Sequence, residues 1–401
     1  MKSTLSKKRE KIDVLFLVEH IDRELESIKN IQKLLSKKNY SSIILSISFD
    51  IYRLLDFEVK LIVVPFIVHK NDWPVKFIRE LYNKEIQILN FNWEQLLSPS
   101  NITYKKPRDN FVRNEVYHIA WSKNFRNFLI ENGVHEQKIK ITGNPSYEII
   151  NKLFKKKDNL RTWLSQELNL KIEKKWIFLP MNYGWAFSSD NFIKRKIKNG
   201  YPEEYAWHYK EYSIKCLNLF PDFVSEINDD YEIIIRPHPS ITCDQYKRFF
   251  LRKLQKIPKN IYFDRTMSVR EWIVSSDIVG SSWSTSVWDA YNLGIPSFLF
   301  TPIERPEFLN TWWNDKVLNI NNFSQYYLSK SKNAPNQRIQ TSTYLFEFIS
   351  TIINNQFFIK PNPFYKLSKK TIIKLVRSFF YYKKIFKSKS KEYDRFEMIK
   401  S

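Results

Sequence analysis

Short, continuous apolar runs alternate with helical segments along most of this chain, and the alternation stops and restarts once. In the first series the runs are Asp13 to Val18 (DVLFLV), Ser41 to Ile47 (SSIILSI), Val59 to Phe66 (VKLIVVPF), Glu85 to Leu89 (EIQIL), a strand ending at HIAW, and Lys138 to Thr142 (KIKIT). Runs of this length with no polar alternation belong to strands buried on both faces. Helical stretches such as 74–82 separate them, which argues a parallel sheet covered by helices on both sides. Residues 151–175 are polar and helical in character and read as a connector. The second series is Trp176 to Met181 (WIFLPM), Tyr231 to Ile235, Ile261 to Phe263, Ile278 to Gly280 and Ser297 to Phe300, with helical segments between. The chain has 401 residues and 43% hydrophobic content, enough for two cores. The expected class is therefore α/β, with two Rossmann-like doubly wound parallel-sheet domains. The first spans 10–150, the connector 151–175 and the second domain 176–340. Residues 341–401 form C-terminal helices and a basic tail.

The 65 Lys and Arg exceed the 42 Asp and Glu by 23. Such a field favours nucleic acid, anionic lipid or phosphorylated substrates. A codon bias toward Lys accounts for much of the count, but not for where the lysines fall. Cys216 and Cys243 form no CxxC or Cys/His cluster, which argues against a zinc site or a disulfide scaffold and suits a reducing compartment. The apolar run Val14 to Val18 is too short for a signal peptide or a spanning helix, so a soluble cytoplasmic protein is expected.

With six glycines, neither GxGxxG nor GxxxxGK[ST] can be built. Gly143, Gly184, Gly280 and Gly294 nevertheless fall after predicted strands or between a helix and a strand, where backbone turns tightly or approaches a ligand. One apolar run ends abruptly in Arg236-Pro237-His238-Pro239-Ser240. In open α/β sheets ligands bind beyond the carboxyl ends of strands. The two prolines stiffen the loop and aim the imidazole before a ligand arrives, which suits phosphate recognition; a turn whose His caps a neighbouring element is the plainer alternative. A second stretch, Asp277 to Phe300, runs strand, Gly-Ser-Ser-Trp-Ser-Thr-Ser, helix, Gly-x-Pro, strand. Ser284, Thr285 and Ser286 sit where the helix begins, a ready anion site. Asp289 lies near its first turn, to cap the helix or to bind ribose hydroxyls.

Together these stretches resemble the GT-B glycosyltransferases of bacterial surface-polysaccharide synthesis. More narrowly they look like surface carbohydrate biosynthesis proteins related to capsule Kdo transferases and CDP-glycerol glycerophosphotransferases. The resemblance is carried by VEHIDREL (18–25), NWEQ (92–95), TGNPSYEII (142–150), MNYGWAF (181–187), RPHPS (236–240) and STSVWDAYNLGIP (284–296), in the family's order over roughly residues 12–305. Two departures, Trp283 for a small residue and Asp289 for a Glu, leave the nucleotide open. The resemblance implies a fold with an inter-domain cleft and a donor site in the C-terminal domain. Gly184, Arg236, His238, Ser240, Ser284, Thr285, Ser286 and Asp289 would line that site. His238 and the hydroxyls would neutralise leaving-group charge without a metal or cofactor. On the acceptor side it points to Glu19, Arg23 and Glu24, with Glu94 a further candidate. Arg23 beside Glu24 would keep a carboxylate ionised. Charged residues opening a helix are also common for structural reasons.

Residues 360–391 carry eleven Lys and Arg and no acid, interleaved with Phe, Tyr, Ile and Leu. This suits an anionic membrane surface first, a packing helix second and nucleic acid third. The expected function is glycosyl transfer from a nucleotide-activated donor, CMP-linked among the options, to a surface polysaccharide or lipid-linked acceptor. The enzyme would be cytoplasmic and peripheral at the inner membrane face, with no specific nucleic-acid partner. The alternatives are a CDP-polyol glycerophosphotransferase-type enzyme, a UDP-sugar 2-epimerase and a basic RNA-binding protein.

Overall fold

The computed structural model describes residues 9–198, 200–238, 240–265, 267–328, 341–362 and 369–382. Pro239 and, from the basic tail, residues 363–368 and 383–391 lie outside the described residues. The chain divides into two compact units. Unit 1 comprises Met1–Gln95, Tyr104–Ile149 and Ile339–Ser401, and unit 2 comprises Leu96–Thr103 and Ile150–Arg338.

Unit 1 holds six strands: β1 (Glu10–Val18), β2 (Ser42–Ser46), β3 (Phe57–Val64), β4 (Gln87–Asn90), β5 (Tyr117–Ala120) and β6 (Ile139–Ile141). They form one sheet in the order β2-β1-β3-β4-β5-β6, and every pairing is parallel. The period-2 geometry of a strand sends alternate residues to opposite faces. In β1, Leu15 and Leu17 enter one apolar cluster, while Val14, Phe16 and Val18 enter the other. This is why DVLFLV is apolar without interruption. The second cluster is completed by the helix Thr341–Asn354, whose Leu345, Ile349, Ile352 and Ile353 pack with Leu25, Ile28, Ile31 and Leu35 of the helix Ile21–Ser36.

Unit 2 repeats the plan with β7 (Lys175–Pro180), β8 (Tyr231–Arg236), β9 (Ile261–Phe263), β10 (Ile278–Ser281), β11 (Ser297–Phe300) and β12 (Leu318–Ile320). The order is β12-β11-β10-β7-β8-β9, again parallel throughout. β12 has no counterpart in the sequence reading. Residues 150–175 belong to unit 2 instead of standing between the units. In the helix Lys157–Leu168, Leu164 is buried. Arg161 ties that helix to the sheet, donating to the Ser275 carbonyl at 2.8 Å and pairing with Asp277 at 2.9 Å.

Both sheets have a switch point, where successive connections leave toward opposite edges and open a crevice beyond the strand ends. In unit 1 it lies between β1 and β3, and in unit 2 between β7 and β10.

Candidate functional site

In unit 2 the ends of the two strands flanking the switch point are locked together. Ser281 Oγ donates to the Pro180 carbonyl at 2.6 Å. The buried Tyr183 hydroxyl meets Ser282 Oγ at 2.6 Å. Trp283 then turns inward: its Nε1 donates to the Tyr209 hydroxyl at 2.8 Å, and its ring lies against Tyr183 and Tyr212. The residue that departs from the family pattern thus anchors the loop after β10 in an aromatic cluster. From that anchor the helix Thr285–Asn292 begins. Ser284 is its N-cap and accepts from the Ser286 amide; its hydroxyl also donates to Ser286 Oγ at 3.1 Å. The Ser284 hydroxyl is therefore engaged by the helix, Ser286 is buried, and Thr285 is exposed at the helix start. Asp289 is half-buried one turn further on.

The loop after β8 meets the loop after β7. A Cβ built on Gly184 would stand 2.7 Å from Ser240 Oγ and 2.9 Å from His238 Nδ1. No real Cβ tolerates such contacts, so only glycine lets the two loops approach this closely. Ser240 donates its amide to His238 Nδ1 at 3.2 Å, and Ser240 Oγ lies 2.8 Å from the same nitrogen. With Nδ1 accepting, the neutral ring carries its proton on Nε2. His238 is exposed, but desolvation by the protein around the ring, and then the Arg265 guanidinium, lower its pKa below the ordinary histidine value. The turn is closed by the Ile241 amide donating to the His238 carbonyl at 2.8 Å, and Arg265 holds the Ile241 carbonyl at 2.7 Å. Arg236 sends its guanidinium to the Met267 carbonyl in the loop after β9. Its visible work is to brace one loop against another.

In unit 1 the corresponding strand ends are charged. Glu24, at the start of the helix after β1, is fully buried. It accepts from the Glu19 amide at 2.8 Å and from Arg23 at 2.7 Å. Arg23 also reaches Glu94, beyond β4, at 2.7 Å. Burial outweighs these partners at Glu24 and raises its pKa, while Arg23 and the backbone donors act in the opposite sense and favour the ionised carboxylate. At Glu94 desolvation by the surrounding protein opposes the shift, but the Arg23 pair exceeds it and lowers the pKa of a side chain that stays 62% exposed. Glu94 is exposed at the surface. Glu19 contributes its backbone to Glu24 while its own side chain is exposed. The sequence reading missed Lys105. It is buried, and burial pulls its pKa down to about 8, with Glu94 opposing and Arg23 reinforcing that shift. Among 65 basic residues, nothing in its local pattern marks it. Among the described residues no group of three or more His, Cys, Asp or Glu is placed to hold a metal ion.

No protein-family model and no curated protein matches the chain. Solved structures do. The wall teichoic acid polymerase TagF with CDPG matches at a TM-score of 0.53 and 14% identity, covering 85% of this chain and 88% of that one. The S. aureus MnaA–UDP structure matches at 0.54 and 12%, covering 86% and 97%. The UDP-GlcNAc 2-epimerase of Neisseria meningitidis bound to UDP-GlcNAc matches at 0.54 and 13%, covering 86% and 100%. Two six-stranded parallel sheets, each with a switch point beneath its loops, and these three likenesses give the chain the GT-B fold.

Proposed function

We propose that the chain is a GT-B glycosyltransferase that moves a sugar from a nucleotide-activated donor to a surface polysaccharide or lipid-linked acceptor at the inner face of the cytoplasmic membrane. The observation that carries this reading is the meeting of three loops at the unit 2 switch point: Gly184 after β7, His238 and Ser240 after β8, and the Ser284–Ser286 helix start after β10. The nucleotides in the TagF and MnaA structures support a nucleotide-linked donor for a chain of the same fold.

In this reading the leaving phosphate sits against the positive end of the helix Thr285–Asn292, where Thr285 is exposed. His238 donates from Nε2 as a neutral ring. It steadies developing charge without itself having to change protonation at neutral pH. Gly184 lets the loop after β7 close against His238 and Ser240, and Asp289 takes ribose hydroxyls. Ser284 and Arg236 act by shaping the loops. On the acceptor side a base must take the proton of the attacking hydroxyl. The exposed carboxylates Glu19 and Glu94 are placed beyond strand ends for this, and Arg23 and Glu24 hold them in position.

The test is thermal stabilisation of the purified chain by CMP, CDP, UDP and GDP, with and without Mg²⁺, since a ligand of the folded state raises its melting temperature. One nucleotide is expected to stabilise the wild type. His238→Ala and Ser286→Ala are expected to lose that response while melting near the wild-type temperature. Stabilisation undiminished in both variants would overturn the donor site. A response to CDP above CMP would favour transfer of a polyol phosphate, as the likeness to TagF suggests. Conversion of UDP-GlcNAc without any acceptor would favour the epimerase reading that the Neisseria neighbour suggests. Steep salt-dependent binding of generic RNA with no nucleotide response would favour the binding protein.

A further inference from the structure

The helix Lys369–Tyr382 divides its circumference into three sectors. Thr371, Leu375 and Ser378 are buried on unit 1, with Leu375 joining the cluster of Ile51, Leu54 and Val75. Two further contacts fix the helix. Lys374 Nζ lies 4.2 Å from the Trp73 ring centroid, and Phe379 meets Tyr52 edge-on at 5.6 Å. The second sector is apolar yet open: Ile372 is 46% exposed, Ile373 44%, Val376 44% and Phe379 41%. Positions 372, 376 and 379 recur at helical spacing and 373 adjoins them, so they make one continuous stripe. The third sector, between the stripe and the buried side, carries Lys374 and the exposed Arg377.

A helix that only packs against its own fold has two sectors, one apolar and buried, one polar and wet. Here an additional apolar stripe faces outward and a basic sector borders it. Residues 360–391 contain no Asp or Glu at all. No described helix is long and apolar enough to cross a membrane, so any contact with lipid is lateral.

We propose that this helix seats unit 1 on an anionic lipid surface. Ile372, Ile373 and Val376 enter the acyl boundary, with Phe379 at the edge of the stripe where it meets Tyr52, while Arg377 sits at headgroup level. Burial of the apolar stripe supplies the non-electrostatic part of the affinity, and the basic sector selects negatively charged leaflets. The helix is already folded and packed on the core, so docking carries little ordering cost. A single-stranded RNA would engage the basic sector but has no use for Ile372, Ile373 and Val376, which offer neither a charge nor a stacking face. The inference extends the reading of an acceptor at a membrane, and its test runs without nucleotide, so its failure is distinguishable from failure of the donor site.

The experiment is co-sedimentation of the full chain with vesicles of phosphatidylcholine alone and of phosphatidylcholine mixed equally with phosphatidylglycerol. Binding to the anionic vesicles, weakening as salt rises, is expected, with little to the neutral ones. The double variant Ile372→Ser with Val376→Ser should bind roughly tenfold more weakly or worse. Its melting temperature should not change, because both side chains are exposed. If that pair melts early, Ile373→Gln repeats the measurement at an equally open position. Arg377→Gln should weaken binding a few-fold (about one headgroup contact) and flatten the salt dependence. Wild-type affinity in the stripe variants, equal binding to neutral vesicles, or preferential binding of poly(U) that survives the serine changes would each overturn the proposal.

Discussion

At the β1/β3 switch point of unit 1 the side chains beyond the strands are charged. Glu24 is sealed in, Arg23 bridges it to Glu94, and Lys105 is buried nearby. At the β7/β10 switch point of unit 2 they are hydroxyls, a glycine and an imidazole whose pKa is lowered. The backbone plan is similar, but the two sites are stabilised differently. The charged network depends on mutual pairing, because each ion removed from water needs a partner. The neutral site depends on shape, because its groups carry no charge that must be matched when water is excluded. Unit 1 should therefore respond strongly to loss of charge and to pH. Unit 2 should respond to small steric changes that leave stability almost untouched.

The largest expected effect is on stability in unit 1. Arg23→Ala leaves the buried Glu24 carboxylate without its cation, and about 2–3 kcal/mol should be lost, discounted because Arg23 is partly exposed. Denaturant unfolding measures this, and Arg23→Lys should recover part of it. A loss within experimental error of zero would break the comparison at its stronger end.

Two pH windows come next. His118 is buried, bonded through Nε2 to the Val112 carbonyl, and burial pulls its pKa to about 4. Between about 6.5 and that value the unfolded chain binds the proton and the folded chain does not. Stability should fall as pH drops through this window. Lys105 acts with the same sign at the alkaline end. The unfolded chain keeps its proton to about 10.5 while the folded chain loses it near 8, so stability should rise with pH between them. Each limb is worth on the order of 3 kcal/mol when fully expressed. Lys105→Met should flatten the alkaline limb and His118→Gln the acid limb. If neither slope changes, the buried charges of unit 1 do not govern its stability.

The smallest effect on stability should accompany the sharpest effect on binding. Gly184→Ala forces a methyl group against the exposed side chains of His238 and Ser240, which can shift toward solvent, at a cost of about 1 kcal/mol. Nucleotide stabilisation should nevertheless disappear. A variant that keeps its nucleotide response would show that the loops of unit 2 yield more than their close contacts suggest.

The strand ends that carry both sites were legible because buried parallel strands announce themselves as unbroken apolar runs. DVLFLV and YEIII appear in the structure as β1 and β8. β12 was not legible. It is three residues long, and Asn319 interrupts the run. The exchange of segments between units was hidden too. Nothing local in 96–103 marks it as part of unit 2, nor does the sequence of the helix Thr341–Asn354 reveal that it belongs with residues 21–36. Periodicity reports which face of an element is apolar, not what will cover it. In the site, the position of His238 beyond a strand end could be read from the apolar run before it, whereas the bracing of Arg236 on Met267 depends on a residue 31 positions away. Lys105 and His118 became visible only through burial, which a single sequence expresses weakly for an isolated polar residue.

The helix Thr341–Asn354 has a consequence for how the chain is made. It closes the core of unit 1, and the bond from the Tyr40 hydroxyl to Asn354 spans 314 residues. Domains commonly fold from the N-terminus as they leave the ribosome. Here Leu25, Ile28, Ile31 and Leu35 pack on strand residues such as Val14, Phe16 and Ile44, but they lack the cover of Leu345, Ile349, Ile352 and Ile353 until those have emerged. The first unit to be translated is thus completed only after unit 2 has been synthesised. During that interval its apolar face is open, and a nascent chain halted before Thr341 would present that face to chaperones and to other copies of itself.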